Sequence, residues 1–98
     1  MNTYVILRRG GWRTAQDLEE AAERSRIEGD RMADDISWIR SYVLAEPDGQ
    51  LGTVCIYQAS SPEAVREHAK AAGLPADEVI PVADTVFVRP DPVPAPTS

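Results

Sequence analysis

Residues 36–59 read ISWIRSYVLAEPDGQLGTVCIYQA, two runs rich in β-branched and aromatic side chains joined by Glu46-Pro47-Asp48-Gly49. Such side chains suit a pleated, half-buried surface and the Pro-Asp-Gly step supplies turn chemistry, so the stretch predicts a β-hairpin. Alternation along the first strand puts Trp38, Arg40, Tyr42 and Leu44 on one face and Ile39, Ser41 and Val43 on the other. On the second strand, Val54 and Ile56 oppose Cys55 and Tyr57. The aliphatic face is expected beneath a layer of helices. The other collects large amphipathic groups that bury a ring or stem and keep a polar tip satisfied.

Upstream, Thr3–Arg9 (TYVILRR) predicts a first strand ended by Gly10-Gly11, with Val5 and Leu7 toward the helices and Tyr4, Ile6 and Arg8 opposite. Thr14 is placed as an N-cap with Asp17 three residues on, and Asp17, Glu19, Glu20 and Glu23 crowd the positive end of the helix dipole. The helix is predicted over residues 15–33, with Leu18, Ala21, Ala22, Ser25, Gly29 and Met32 as its inward stripe. Downstream, Ser61-Pro62-Glu63 starts a second helix with Val65, Ala69 and Ala72 inward. Gly73 suits the left-handed position that ends it, with Leu74 folding back on Ala69. Val79–Val82 predicts a strand in which Pro81 removes a ladder donor and so marks an edge or a bulge, and Thr85–Arg89 (TVFVR) predicts one more strand. Residues 90–98, PDPVPAPTS, hold too little apolar surface to fold and are expected as a disordered, extended tail.

The order strand, helix, strand, strand, helix, strand is that of an α+β ferredoxin-like β-α-β-β-α-β sandwich, with residues 1–89 as a single domain and both helices on one face of one antiparallel sheet. The uncovered face, carrying Ile6, Trp38, Tyr42, Leu44 and Tyr57, is more apolar than a monomer exposes. The expected assembly is a homodimer of the dimeric α+β-barrel type, its two sheets enclosing an interior, with TVFVR placed to pair with the partner's sheet edge.

At 98 residues the chain holds one core, and 43% hydrophobic with 27% charged residues is ordinary for a globular protein. A net charge of −6 argues against nucleic acid or an anionic membrane as partner. Cys55 is the single cysteine, so no intramolecular disulfide forms, and no apolar run is long enough for a signal peptide or a membrane span. The expected location is cytoplasmic.

SWIRSYV (37–43) and VCIYQASSPEAVREHAKAAGLPADEVIPV (54–82) resemble a family of small bacterial ferredoxin-like proteins, long described as a domain of unknown function, that includes a nickel-binding member. The Trp and SYV of the second strand, the Cys-x-Tyr of the third, the Ser-Pro-Glu-Ala helix start and the Gly-Leu-Pro stop carry the likeness, which covers about four-fifths of the chain. It implies the fold and dimer argued above, with nickel binding, and brings no established catalytic residue. Where relatives can place a histidine inside SWIRSYV, this chain has Arg40.

His68 with Glu67 and Glu63 is the local histidine–carboxylate grouping, a candidate metal site for nickel completed by a symmetry mate or by Cys55. The plainer reading is a solvated Glu63–Glu67 pair one helical turn apart with His68 packed at the helix border. Cys55 reads either as a small buried hydrophobe or as a ligand or reactive thiol beside Arg8 and Arg40. Arg8, Trp38, Arg40, Tyr42, Cys55 and Tyr57 form the candidate ligand-binding set, since guanidinium forks with phenol and indole donors suit a carboxylate or an aromatic anion. Against that stands a dimer interface in which these groups are simply core. The acidic start of the first helix reads as solvated carboxylates. The function expected is a non-catalytic, homodimeric binding protein for a transition metal or a small anionic ligand. The competing expectation is a dimeric α+β-barrel enzyme acting on a small aromatic or carbonyl compound through Tyr42, Tyr57 or His68, although no credible acid–base pair stands out.

Overall fold

The computed structural model describes residues 1–76 and 78–90, with elements β1 (Asn2–Trp12), α1 (Ala15–Arg31), β2 (Ile36–Ala45), β3 (Leu51–Ala59), α2 (Pro62–Ala72) and β4 (Glu78–Pro81). The four strands form one antiparallel sheet in the order β2-β3-β1-β4, the ferredoxin-like arrangement that the hairpin and its flanking elements predict. Among the described residues, no helix is long and apolar enough to cross a membrane.

Both helices begin and end where their caps dictate. The Thr14 hydroxyl accepts from the Asp17 amide at 3.1 Å, and the Ser61 hydroxyl accepts from the Ala64 amide at 3.1 Å with Pro62 in the first turn. At the far end of α2, Gly73 adopts φ +68°, and the Leu74 amide donates to the Ala69 carbonyl at 2.8 Å. The hairpin closes through Glu46 and Gln50, whose backbones bond at 3.0 Å around Gly49 at φ +86°.

The two faces of the sheet are exchanged relative to expectation. Tyr4, Ile6, Arg8, Thr53, Cys55, Tyr57 and Ala59 are buried beneath the helices, whereas Val5, Leu7, Val54 and Ile56 lie half-buried on the open side. The reason is complementarity of size. The helices offer mostly small residues, Ala21, Ser25, Ala64, Ala69 and Ala72, to the core beside Val65 and His68, and the large Tyr4, Ile6, Arg8 and Tyr57 of the sheet fill the space beneath them. Two apolar faces alternate equally well, so period-2 patterning cannot choose between them.

A second correction lies in β2. Its register with β3 shifts between Trp38 and Arg40, leaving Ile39 as a bulge residue. Trp38 pairs with Tyr57, Ser41 with Cys55 and Val43 with Thr53, all on the helix side. Arg40 opposite Ile56, Tyr42 opposite Val54 and Leu44 opposite Gly52 fall on the open side.

Thr85–Arg89 forms no strand within the chain. β4 stops at Pro81, which has no amide hydrogen to extend a ladder, and one further bond, from the Val82 amide to the Thr3 carbonyl, ends the pairing. Val86, Phe87 and Val88 are left 85%, 89% and 74% exposed. The tail expected at 90–98 lies, from residue 91 on, outside the described residues.

Candidate ligand chamber

Between the inner stripe of α1 and the helix-covered side of β2 and β3 lies a chamber of about 240 Å³. Leu18, Ala21, Ala22 and Ser25 form its helical wall, and Arg8, Cys55 and Tyr57 form its sheet wall. Small residues on α1 leave the space, and Gly52 helps set the sheet beneath it. A Cβ at Gly52 would stand 2.6 Å from the Arg8 carbonyl oxygen, so β1 and β3 approach there as only glycine allows.

Arg8 is the unusual group. Its side chain is 1% exposed, and its permanent charge sits inside the fold. Nε donates to the Pro75 carbonyl and Nη1 donates to Cys55 Sγ at 3.1 Å, while Nη2 is buried with no hydrogen-bond partner among the described residues. The ion pairs of the described residues join Arg9 to Glu46, Arg26 to Glu23 and Arg31 to Glu28, and none reaches Arg8. A buried cation without a carboxylate is costly, and the fold retains it.

The donors around it are already engaged. Trp38 Nε1 donates to Ser41 Oγ at 2.8 Å, Ser41 donates to Cys55 Sγ at 3.0 Å, and the Cys55 thiol donates to Thr53 Oγ1 at 3.4 Å. Trp38 also lies parallel to Tyr57, centroids 6.1 Å apart. The Tyr57 hydroxyl meets Ser25 Oγ at 3.0 Å, and burial pushes its pKa above the ordinary phenol value, so it stays protonated at neutral pH. Trp38 is 37% exposed and Val43 is exposed too, so the chamber opens to solvent past the edge strand β2.

The residues singled out from sequence therefore divide. Arg8, Trp38, Cys55 and Tyr57 meet at this chamber, within one chain rather than between two sheets. Arg40 and Tyr42 lie on the open face, removed from it by the bulge. Glu63 and Glu67 are exposed on α2, whereas His68 is fully buried and points the other way, tilted against Tyr57 at a centroid distance of 5.5 Å. Its Nε2–H donates to the Ser25 carbonyl at 2.8 Å, leaving Nδ1 bare and unpartnered. Desolvation holds its pKa below the ordinary value, and the charge of Arg8 adds to that. Sequence reasoning placed His68 at a helix border. Gly29 lies against the imidazole, but a Cβ there would sit 3.7 Å from Nε2 in ordinary contact, so the glycine gives no signal for the buried ring. The chamber wall residues Ser41, Thr53 and Trp12 were missed as site residues.

The family model for nickel responsive protein SCO4226-like matches residues 4–82. The chain belongs to the nickel-responsive SCO4226-like family. The crystal structure of SCO4226 from Streptomyces coelicolor A3(2) superposes with a TM-score of 0.64 at 22% identity, covering 86% of this chain and 99% of that one, which establishes the shared fold. No curated protein matches the sequence. For a metal of the kind the family description names, the donors are poorly arranged. Among the described residues no group of three or more His, Cys, Asp and Glu side chains gathers. The chamber itself would repel a cation through Arg8, so within one chain these residues do not fit nickel.

Proposed function

We propose that this member of the nickel-responsive family is a non-catalytic binding protein that takes up a small anion in the chamber beside Arg8 and works as a homodimer. The unmet Arg8 Nη2 carries the reading. A guanidinium buried without a carboxylate is stabilised by an anion that enters. Tyr57 in the wall is held protonated, and the buried His68 packed against it has its Nε2 hydrogen engaged with Ser25, so neither offers a base to the chamber. The homodimer reading rests on the open face, where Val5, Leu7, Tyr42, Leu44, Val54, Ile56 and Ile80 lie together without a helix to cover them.

The family description favours a second reading, nickel binding, for which the described residues of one copy gather no donor set and a second copy would contribute donors. A single melting series separates the two. Acetate, nitrate and nickel chloride are titrated into the wild type, Arg8→Met and His68→Gln. Ligand at about a hundredfold its Kd stabilises by roughly 2.7 kcal/mol, a rise of ten degrees or so for a domain of this size. A rise with acetate or nitrate that Arg8→Met abolishes supports the anion site. A rise with nickel alone that His68→Gln abolishes replaces it with the metal reading.

A further inference from the structure

Resting on that anion site, we propose that its ligand is an aromatic monocarboxylate, held with the carboxylate on Arg8 and the ring among Trp12, Leu18 and Trp38. The volume sets the scale. At about 240 Å³ the chamber falls below the roughly 300–1,000 Å³ of sites for drug-sized molecules, which leaves room for one ring and a short acid.

The wall chemistry selects the rest. Indole, leucine and valine side chains line the space, and the hydrogens of Trp38 Nε1, Ser41 and Cys55 are engaged along the line that ends at Thr53. Arg8 is therefore the group with an unanswered need. Its Nη1 rests on a thiol, a weak acceptor, and its Nη2 makes no hydrogen bond, with the Tyr57 hydroxyl the polar group close to the guanidinium. A carboxylate that displaces Cys55 Sγ takes both hydrogens as a parallel fork, the geometry a guanidinium prefers. A spherical or monodentate anion gains one of those bonds. Glu19 lines the same chamber from the exposed side of α1, and its charge disfavours a ligand carrying a second negative group. Flat apolar walls with one cation thus call for a single carboxylate attached to a ring.

Benzoate is the probe, with benzamide as its uncharged counterpart and acetate as its ringless one. Binding is read by calorimetry and by tryptophan fluorescence, and the rate at which Cys55 reacts with a thiol reagent is followed in parallel. The expected result is benzoate at least tenfold tighter than either counterpart, with slowed Cys55 modification. Arg8→Met should erase the preference over benzamide, and Trp38→Ala the preference over acetate, with both variants keeping the wild-type circular dichroism. Arg8→Lys, which keeps the charge without the fork, serves if Arg8→Met does not fold and should lose most of the gain. Acetate and benzoate binding equally in an Arg8-dependent way would overturn the aromatic class and leave the anion site standing. If the wild type binds no carboxylate the aromatic-acid proposal falls, and if it binds no nitrate either the anion site falls with it.

Discussion

His68 shows how one buried side chain writes a pH dependence into the fold. Its pKa is lowered from 6.5 by burial, so below about pH 6.5 the unfolded chain holds a proton that the folded chain refuses. This group therefore leaves stability untouched above that pH and erodes it as pH falls toward the depressed folded value. His68→Gln keeps a donor in reach of the Ser25 carbonyl and removes the titration. Thermal melts between about pH 7.5 and 5.5 should fall for the wild type and stay flatter for the variant. Parallel slopes would remove His68 from the account. Arg9 and Glu46 act locally on the opposite side, where the Arg9 hydrogen bonds hold Glu46 below the usual carboxylate range and Glu46 in turn accepts from the Gly10 amide at 2.7 Å.

Among the elements, α2 is the one whose ends the sequence announces most clearly. Ser61, Pro62 and Gly73 take the cap roles that their chemistry predicts, and Arg24 of α1 donates to the Ala72 carbonyl at 2.9 Å, tying the two helices at the negative end of the dipole. Gly73→Ala places a Cβ in the left-handed region and should cost about 1–2 kcal/mol, lowering the melting temperature by roughly 5 °C or more. An unchanged melt would mean that the helix end does not depend on that conformation. β2 is the opposite case. Its length and partner are legible in SWIRSYVLA, but the bulge at Ile39 is not, because no glycine or proline marks it. That single extra residue splits Trp38 from Arg40 and Tyr42, and with it the grouping that alternation alone puts together.

For the whole molecule, the open side of the sheet sets the expectation of self-association. Tyr42, half-exposed on the open side of the edge strand β2 and paired with Val54, should be intolerant of charge once two copies meet there. Sedimentation is expected to give a dimer for the wild type and a monomer for Tyr42→Asp, with unchanged circular dichroism because the side chain lies outside the helix-covered core. A monomeric wild type would sink the pairing of these faces. The exposed Val86, Phe87 and Val88 extend the same argument, since truncation after Val82 should weaken the dimer more than it lowers the melting temperature.

The order of elements, the helix caps and the hairpin follow from sequence because each is set by contacts within a few residues. The residue types of the candidate site were legible too, as Arg8, Trp38, Cys55 and Tyr57 stood out for pairing polar tips with apolar bodies. Where those side chains face was decided only by tertiary packing. Alternation gives two faces without saying which meets the helices, and the mostly small inner residues of α1 and α2 favour the bulkier one. That choice moves Arg8 from a surface between subunits to the inside of a single chain, where water no longer screens its charge.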